Sequence, residues 1–301
     1  MKKIGIIVIG YGHVGKGVVS AVEVAPDMEL KGIIERPAAI DKCKEENKGI
    51  KVSDKIDDFP EADVAILAIP TRQVHRVARE VMSKSLNTID SFDLHGNELL
   101  KLKEELKQTA KEKGQVAIMA AGWDPGTDSM VRATLEIMAP RGLTYTNFGP
   151  GMSMGHTVAV KEIAGVEDAL VLTIPVDTGI HRRMVYIQRY PGTSFEDICS
   201  EIRQDPYFSN GETFIEDTDD VSQLVDVGHG VRINRKGIAG KTHNQMFSYD
   251  IRVTNPSVTG QVMVSSARAS MRMEPGAYTM VEIPPVYFLA GDQSELISRL
   301  V

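Results

Sequence analysis

The chain has 301 residues, 42% of them hydrophobic and 25% charged, with a formal net charge of −7. That is length for about two domains and apolar content for a sizeable core, which excludes a globally disordered protein. The acidic balance argues against a nucleic-acid surface as the main role, and no apolar run is long enough to span a membrane.

Met1-Lys2-Lys3 leads into a short strand without a signal-peptide pattern, so a cytoplasmic place is expected. The first element organises the rest. Ile4–Gly15, IGIIVIGYGHVG, reads as an apolar strand, a glycine loop and the start of a helix over Val14–Val24. Gly10, Gly12 and Gly15 hold the G-x-G-x-x-G spacing, with Tyr11, His13 and Val14 between them. In that geometry the first glycine turns, the second admits a pyrophosphate, and the third lets helix and strand pack closely. Glu29–Arg36 is the next strand. At its end Glu35 suits a ribose 2′-OH and NAD, whereas Arg36 suits a 2′-phosphate and NADP, so both cofactors stay open at this point.

A short helix follows over Pro37–Glu46, then a buried strand within Glu61–Pro70. Pro70, Thr71 and Arg72 stand at its carboxyl end, where a cofactor crevice is lined. A helix over Val74–Met82 and a strand over Leu86–Ile89 lead to Asp90-Ser91-Phe92-Asp93, with His95 just beyond. Asn97–Lys113 spaces Leu99, Leu102 and Leu106 as one helical face, and Gln115–Ala120 is another apolar strand. Such alternation predicts an α/β doubly wound parallel sheet of the Rossmann type over residues 1–121.

The pattern changes at Gly122-Trp123-Asp124-Pro125-Gly126. After a helix over Thr127–Met138, strands are expected at Thr144–Phe148, Ala169–Pro175, Arg183–Arg189, Gly230–Asn234 and Gln245–Val253. A short helical stretch follows Gly155-His156. This predicts a second α+β domain with a mainly antiparallel sheet over 122–255, for substrate binding. A helix of small residues, Ser257–Met271, and the terminal segment are expected to return to the first domain over 256–301.

Asp93 and Asp124 each follow a strand of the parallel sheet, so both are expected at its carboxyl edge, where a nicotinamide would lie. Two carboxylates there suit a substrate ammonium and proton transfer at its nitrogen. Their competing structural roles are a helix cap for Asp93 and an Asx turn for Asp124. Arg183, His229 in Gly228–Gly230 and Thr173 suit a carboxylate. Their ordinary roles are a solvated strand face, a turn and a plain strand residue. Gly151-Met152-Ser153-Met154-Gly155 matches the G-x-S-x-G of a nucleophile elbow, but Pro150-Gly151 is expected to break the strand an elbow needs. Cys43 and Cys199 form no metal or disulfide framework, no Cys/His spacing fits zinc, and no metal is expected.

At GWDPG, GPGMSMGH (Gly149–His156) and GHG the sequence resembles the meso-diaminopimelate dehydrogenase family. The likeness runs from the glycine loop through PDMEL, Ser91–Asp93, Asn147-Phe148 and His181-Arg182-Arg183 to Asn255-Pro256. The brief segment between Pro175 and His181, and Met154, resemble its shorter branch of broader specificity. The resemblance implies reversible NADP-dependent oxidative deamination at the D-centre of meso-2,6-diaminopimelate. The product is L-2-amino-6-oxopimelate, which cyclises to tetrahydrodipicolinate, and ammonia is released, a lysine-precursor step. Other D-amino acids, and reductive amination of 2-oxo acids, are within the same implied activity.

The resemblance further implies that Asp93 and Asp124 hold the D-centre ammonium, and that Trp123 and Phe148 shape the pocket. Met154 and Gly155 would contact the reacting end, with His156 close by. Thr173, Arg183 and His229 would grip the distal carboxylate, and Asn255 would anchor the L-centre. A homodimer is implied too. Glu35 departs from the paired basic residues frequent in the family and keeps NAD open. Rival readings are a dihydrodipicolinate reductase-like enzyme on the same architecture and a non-catalytic NAD(P)-binding redox sensor.

Overall fold

The computed structural model describes residues 2–93, 96–177, 179–208, 211–224 and 228–301. The chain divides into two compact units, Met1–Ala133 with Pro256–Val301, and Thr134–Asn255.

In the first unit the chain runs β1 (Ile4–Ile9), α1 (His13–Val24), β2 (Met28–Ile34), α2 (Ile40–Glu46), β3 (Val52–Ser53), β4 (Val64–Leu67), α3 (Thr71–Ser83), β5 (Asn87–Asp90), α4 (Asn97–Lys113), β6 (Val116–Met119) and α5 (Thr127–Met138). In the second it runs β7 (Arg141–Phe148), β8 (Gly151–Met152), α6 (Met154–Lys161), β9 (Val166–Asp177), β10 (Ile180–Arg189), α7 (Phe195–Gln204), β11 (Glu212–Asp217), β12 (Gly228–Ala239) and β13 (Thr242–Thr254). The chain then returns to the first unit through α8 (Asn255–Ser270), β14 (Gly276–Thr279) and α9 (Gln293–Leu300).

Among the described residues of the first unit, seven strands form one parallel sheet in the order β14-β6-β5-β4-β1-β2-β3. Parallel strands need crossovers, and the crossing helices cover both faces, so the strands are apolar throughout. Alternate residues of β1 serve opposite layers. Ile6 and Val8 join Val18 and Val22 of α1 and Val264 and Ala267 of α8. Ile7 and Ile9 join Val74 and Val81 of α3 and Leu102 and Leu106 of α4. Strand order reverses between β1 and β4, and ligands of such sheets bind outside the carboxyl ends at that switch. Gly10 follows β1 and Pro70 follows β4.

The small residues of α8 have a packing reason. A Cβ on Gly17 of α1 would stand 2.5 Å from the Pro256 carbonyl, and one on Gly260 would stand 2.6 Å from the Val18 nitrogen. Arg268, 5% exposed, fastens the same helix. It donates to both Asp27 oxygens (2.5 and 2.7 Å) and to the Phe288 carbonyl (2.9 Å). Its guanidinium pulls the Asp27 carboxyl below its ordinary range. β14 pairs with β6, a strand the sequence reading left inside the terminal segment.

The unit boundary falls inside α5, after Ala133, rather than after Ala121. The turn at Gly122–Gly126 binds back on itself and carries the start of α5 with it. Gly122 N donates to Pro125 O (3.1 Å), Thr127 N to Gly122 O (3.1 Å) and Asp128 N to Trp123 O (3.0 Å).

Among the described residues the second unit holds two sheets, β11-β10-β9-β8 and β13-β12-β7. Pairing is antiparallel except between β10 and β11, where α7 makes the crossover. Neither α7 nor β11 was expected. Ser194 caps α7 by accepting from Asp197 N (3.2 Å), and Ile198, Cys199 and Ile202 are its buried stripe. The strands run beyond their expected bounds because β12 and β13 form one long hairpin.

Removing the partner of a buried guanidinium leaves an uncompensated charge. Asp27→Ala should therefore destabilise the first unit by about 2–3 kcal/mol, read as a lower denaturant midpoint in equilibrium unfolding. An unchanged midpoint would contradict the role given to this ion pair.

Candidate active site

Gly10 turns the chain after β1 with φ +92°, a conformation an L side chain rarely adopts. A Cβ on Gly15 would run into the Gly10 carbonyl, whereas one on Gly12 would meet nothing within 4 Å. The loop is thus closed on the sheet side and open at Gly12. Gly12 begins α1 with no side-chain cap, and His13 and Val14 form its first turn, so its leading N–H groups are available to an anion. An open glycine at an uncapped helix start fits a dinucleotide pyrophosphate.

Glu35 turns back onto this loop. Its Oε2 accepts from Tyr11 N (2.8 Å) and its Oε1 from Arg36 N (2.9 Å). The Arg36 side chain stays 83% exposed. Pro70 begins α3, so Thr71 and Arg72 lie in that helix's first turn instead of ahead of a helix beginning at Val74. Thr71 Oγ1 donates to Asp93 Oδ1. Gly96, not Asp93, occupies the cap position of α4, so Asp93 is not the cap weighed from sequence. His95 lies outside the described residues.

Asp124 follows the Trp123 turn and is largely buried, with Oδ1 lacking any aligned hydrogen-bond donor. Burial and the adjacent Asp128 carboxyl push its pKa well above the ordinary carboxylate range, against a smaller pull from Arg132. Trp123 is 3% exposed, and its carbonyl accepts from Asp128 N (3.0 Å) and Thr127 Oγ1 (3.2 Å).

Both carboxylate loops hang from Asp90, which sequence reasoning passed over. Asp90 is fully buried at the end of β5. Its Oδ1 accepts from Phe92 N (3.0 Å), next to Asp93, and from Ala120 N (3.2 Å), just before the Trp123 turn. Its carbonyl accepts from Ala121 N (2.8 Å). Ala120 sits at φ +51°, left-handed for a residue with a Cβ, so the turn is one the surroundings must hold. Burial pushes the Asp90 pKa up to about 7 against these two backbone bonds. The available signal was an acid closing an otherwise uncharged strand, Asn87–Asp90.

The second unit gathers polar groups on paired strands. Thr173 of β9, 3% exposed, faces Arg183 of β10 on one side and Gly151 of β8 on the other. Arg183 lies inside its strand rather than at its beginning, and its Nη1 is buried without a hydrogen-bond partner. Its Nε stands 3.3 Å from His156 Nε2. The same ring atom lies 3.0 Å from the Tyr207 carbonyl, and Nδ1 lies 2.7 Å from Ser153 Oγ. A neutral ring serves these partners one at a time: unprotonated Nε2 accepts from Arg183, protonated Nε2 donates to Tyr207. Burial and then the Arg183 charge push the His156 pKa down to about 4, and lower His181 for the same reasons. A cavity of roughly 380 Å³ is lined by Arg183, His181, Ile180, Tyr207, Phe208 and Glu212 among others.

Phe148 N donates to His181 Nε2 (2.7 Å), and the Phe148 ring lies 5.6 Å from His181 and 6.5 Å from His229. His229 is in β12, 9% exposed, and not in a turn. Its Nδ1 lies 2.8 Å from Gly230 N and 3.2 Å from Gly230 O. Met154, Gly155 and His156 form the first turn of α6, and Asn255 begins α8. Contrary to the sequence reading, a strand does form before Ser153: β8 pairs with β9. Ser153 stands just ahead of α6, and the His156 ring beside its hydroxyl has its pKa pushed down to about 4 by burial and the Arg183 charge.

Among the described residues no group of three or more His, Cys, Asp or Glu could hold a metal ion, and no helix is long and apolar enough to cross a membrane. Fold and residues together define an oxidoreductase with a dinucleotide-binding unit and separate anionic and cationic sets. Comparison with known proteins narrows the class. Residues 122–182 match the diaminopimelic acid dehydrogenase C-terminal domain. The chain is 51% identical, over the whole of both chains, to the meso-diaminopimelate D-dehydrogenase of Bacteroides fragilis. The solved Corynebacterium glutamicum DAP dehydrogenase in complex with DAP is 26% identical, with a TM-score of 0.90 over the whole of both chains. An engineered D-amino acid dehydrogenase bound to NADP+ is 25% identical, with a TM-score of 0.88 and the same coverage. The chain belongs to the meso-diaminopimelate D-dehydrogenase family.

Asp90 holds its proton more tightly folded than unfolded. Its stabilising contribution is therefore complete below the ordinary value of 3.8 and is lost as pH rises through about 7. Asp90→Asn copies the neutral acid. Between about pH 5 and about pH 8 the parent's Tm should fall by a few degrees more than the variant's. Equal losses would show that Asp90 is not the titrating group.

Proposed function

We propose that the protein catalyses reversible, NADP-dependent oxidative deamination at the D-centre of meso-2,6-diaminopimelate, giving L-2-amino-6-oxopimelate and ammonia. Family membership over the full length carries this reading, and the residues give it a chemistry. Other D-amino acids, and 2-oxo acids with ammonium in reverse, fall within the same proposal. Bound NADP+ supplies the hydride acceptor. The loop Gly10–Gly15 with the start of α1 holds its pyrophosphate, beside Pro70 and Thr71, and Arg36 with Arg72 receives the 2′-phosphate. Glu35 accepts from the backbone N–H groups of Tyr11 and Arg36 and so braces the loop.

Asp93 and Asp124 take the ammonium of the D-centre. Hydride leaves carbon only when the nitrogen is a free amine, so a proton must first be taken from the ammonium. Asp124, with its raised pKa, is the acceptor, and it manages the water that then hydrolyses the imine. Thr173, Arg183 and His229 grip the distal carboxylate, with the unpartnered Nη1 of Arg183 as its charged donor. His156, neutral, steadies Arg183; Asn255 anchors the L-centre. Trp123 and Phe148 shape the pocket, and Met154 and Gly155 meet the reacting end. Gripping the far end selects which hydrogen is presented, so stereochoice is a matter of positioning. The proposal includes a homodimer working in the cytoplasm, as the family resemblance implies.

Mixing the protein with meso-diaminopimelate and NADP+ should form NADPH and ammonia in equal amounts, faster than with NAD+. In reverse, oxidation of NADPH by a 2-oxo acid should require ammonium. NADPH oxidation without ammonium would support the reductase-like rival, and cofactor binding without turnover the sensor; either result overturns the proposal.

A further inference from the structure

Ser153 occupies the cap position of α6, where a serine hydroxyl ordinarily accepts from an N–H of the first helical turn. Here the hydroxyl makes no such bond. Its Oγ lies instead 2.7 Å from His156 Nδ1. The serine backbone is clamped to β9. Its N–H donates to the Val171 carbonyl (2.8 Å), and its carbonyl accepts from the Thr157 hydroxyl (2.7 Å), which itself accepts from Val171 N (3.0 Å). The hydroxyl is thus fixed against the strand whose Thr173 is the cross-strand neighbour of Arg183.

The other side of the ring meets the guanidinium. Arg183 Nε–H points at His156 Nε2 (3.3 Å), and the rings of Tyr207 and Phe208 stand edge-on to the imidazole at 5.1 and 5.2 Å. Arg183 Nε can only donate, so this bond needs a lone pair on Nε2. The single N–H of a neutral imidazole then belongs to Nδ1, and an acceptor there keeps it in place. Ser153 Oγ is positioned as that acceptor. The Tyr207 carbonyl, 3.0 Å from Nε2, favours the opposite tautomer. That tautomer would set an N–H against the Arg183 N–H. A hydrogen bond from a charged donor is roughly twice as strong as a neutral one, so the guanidinium decides the tautomer.

We propose that Ser153 is a positioning residue for substrate binding: its hydroxyl fixes the Nδ1–H tautomer of His156, whose Nε2 then holds Arg183 Nε and leaves the Nη edge of the guanidinium for the distal carboxylate. The inference rests on the proposed grip of Arg183 on that carboxylate. With Nε engaged, the two Nη groups form the remaining fork, and a carboxylate is matched by such a fork. Nη1, buried without a hydrogen-bond partner, is the donor so presented. Ser153 touches neither the reacting carbon nor the nitrogen on this account, and its hydroxyl is no nucleophile.

The test compares initial rates of NADP+ reduction by meso-diaminopimelate in the full-length parent, Ser153→Ala, Ser153→Thr and Arg183→Met. Ser153→Ala should raise KM for meso-diaminopimelate about tenfold, with kcat changed by less than about threefold and KM for NADP+ unmoved. Ser153→Thr keeps the hydroxyl and should restore the parent KM. A Ser153→Ala that only lowers kcat, with KM for meso-diaminopimelate unmoved, would make the serine merely structural and overturn the inference. Arg183→Met should raise the same KM further or abolish turnover. An Arg183→Met with the parent's KM would instead remove Arg183 from the carboxylate and sink the reading beneath. NMR of the parent carrying isotope-labelled histidine reads the tautomer without turnover, the His156 signal being the one lost in His156→Gln. Nδ1–H is expected, and Nε2–H would overturn the inference even if Ser153→Ala does not fold.

Discussion

Two backbone N–H groups on one buried oxygen tie together the two loops that carry Asp93 and Asp124. Asp90 Oδ1 receives Phe92 N and Ala120 N, and so joins the ends of β5 and β6 beyond their last ladder bonds. Asp93 and Asp124 ride on the two loops that this oxygen ties. The cost is a buried carboxyl, and burial outweighs the two backbone bonds enough to bring its pKa to about 7. A parallel sheet makes the arrangement possible, since adjacent strands end at the same edge. Neighbouring loops can then share one acceptor.

The frame of this unit was legible because its signals are local and periodic. Ile4–Gly15 states a strand, a turn and a helix within twelve residues of consecutive sequence, and the observed loop uses its glycines as their spacing required. Asp93 and Asp124 were legible because strand ends in such a sheet share an edge. Glu35 was not. Whether a strand-end carboxylate reaches outward or turns back to Tyr11 N is a choice of side-chain torsion that no spacing records. Asp90 was not legible for another reason: its carboxyl oxygen accepts from backbone N–H groups of its own unit and contacts no ligand-facing feature that a motif would mark.

The second unit was harder to read. Its strands are half-exposed and lack the continuous apolar runs of a covered parallel sheet, so β12 and β13 were cut short, and β11 went unseen. His229 looked like a turn residue between glycines, but Gly230 serves close strand packing: a Cβ there would collide with the Ile251 carbonyl. Burial and the Arg183 charge hold His156 and His181 unprotonated, so they orient by hydrogen bonds while the guanidinium carries the charge.

The central claim is that positioning of the far end selects the D-centre for oxidation. Its most direct test compares NADP+ reduction by meso-diaminopimelate and by the L,L isomer under identical conditions. The account predicts rapid NADPH formation with the meso compound and none with the L,L compound, which offers no D-centre. Comparable rates with both would contradict it, because hydride would then be leaving a centre that this arrangement of residues does not present.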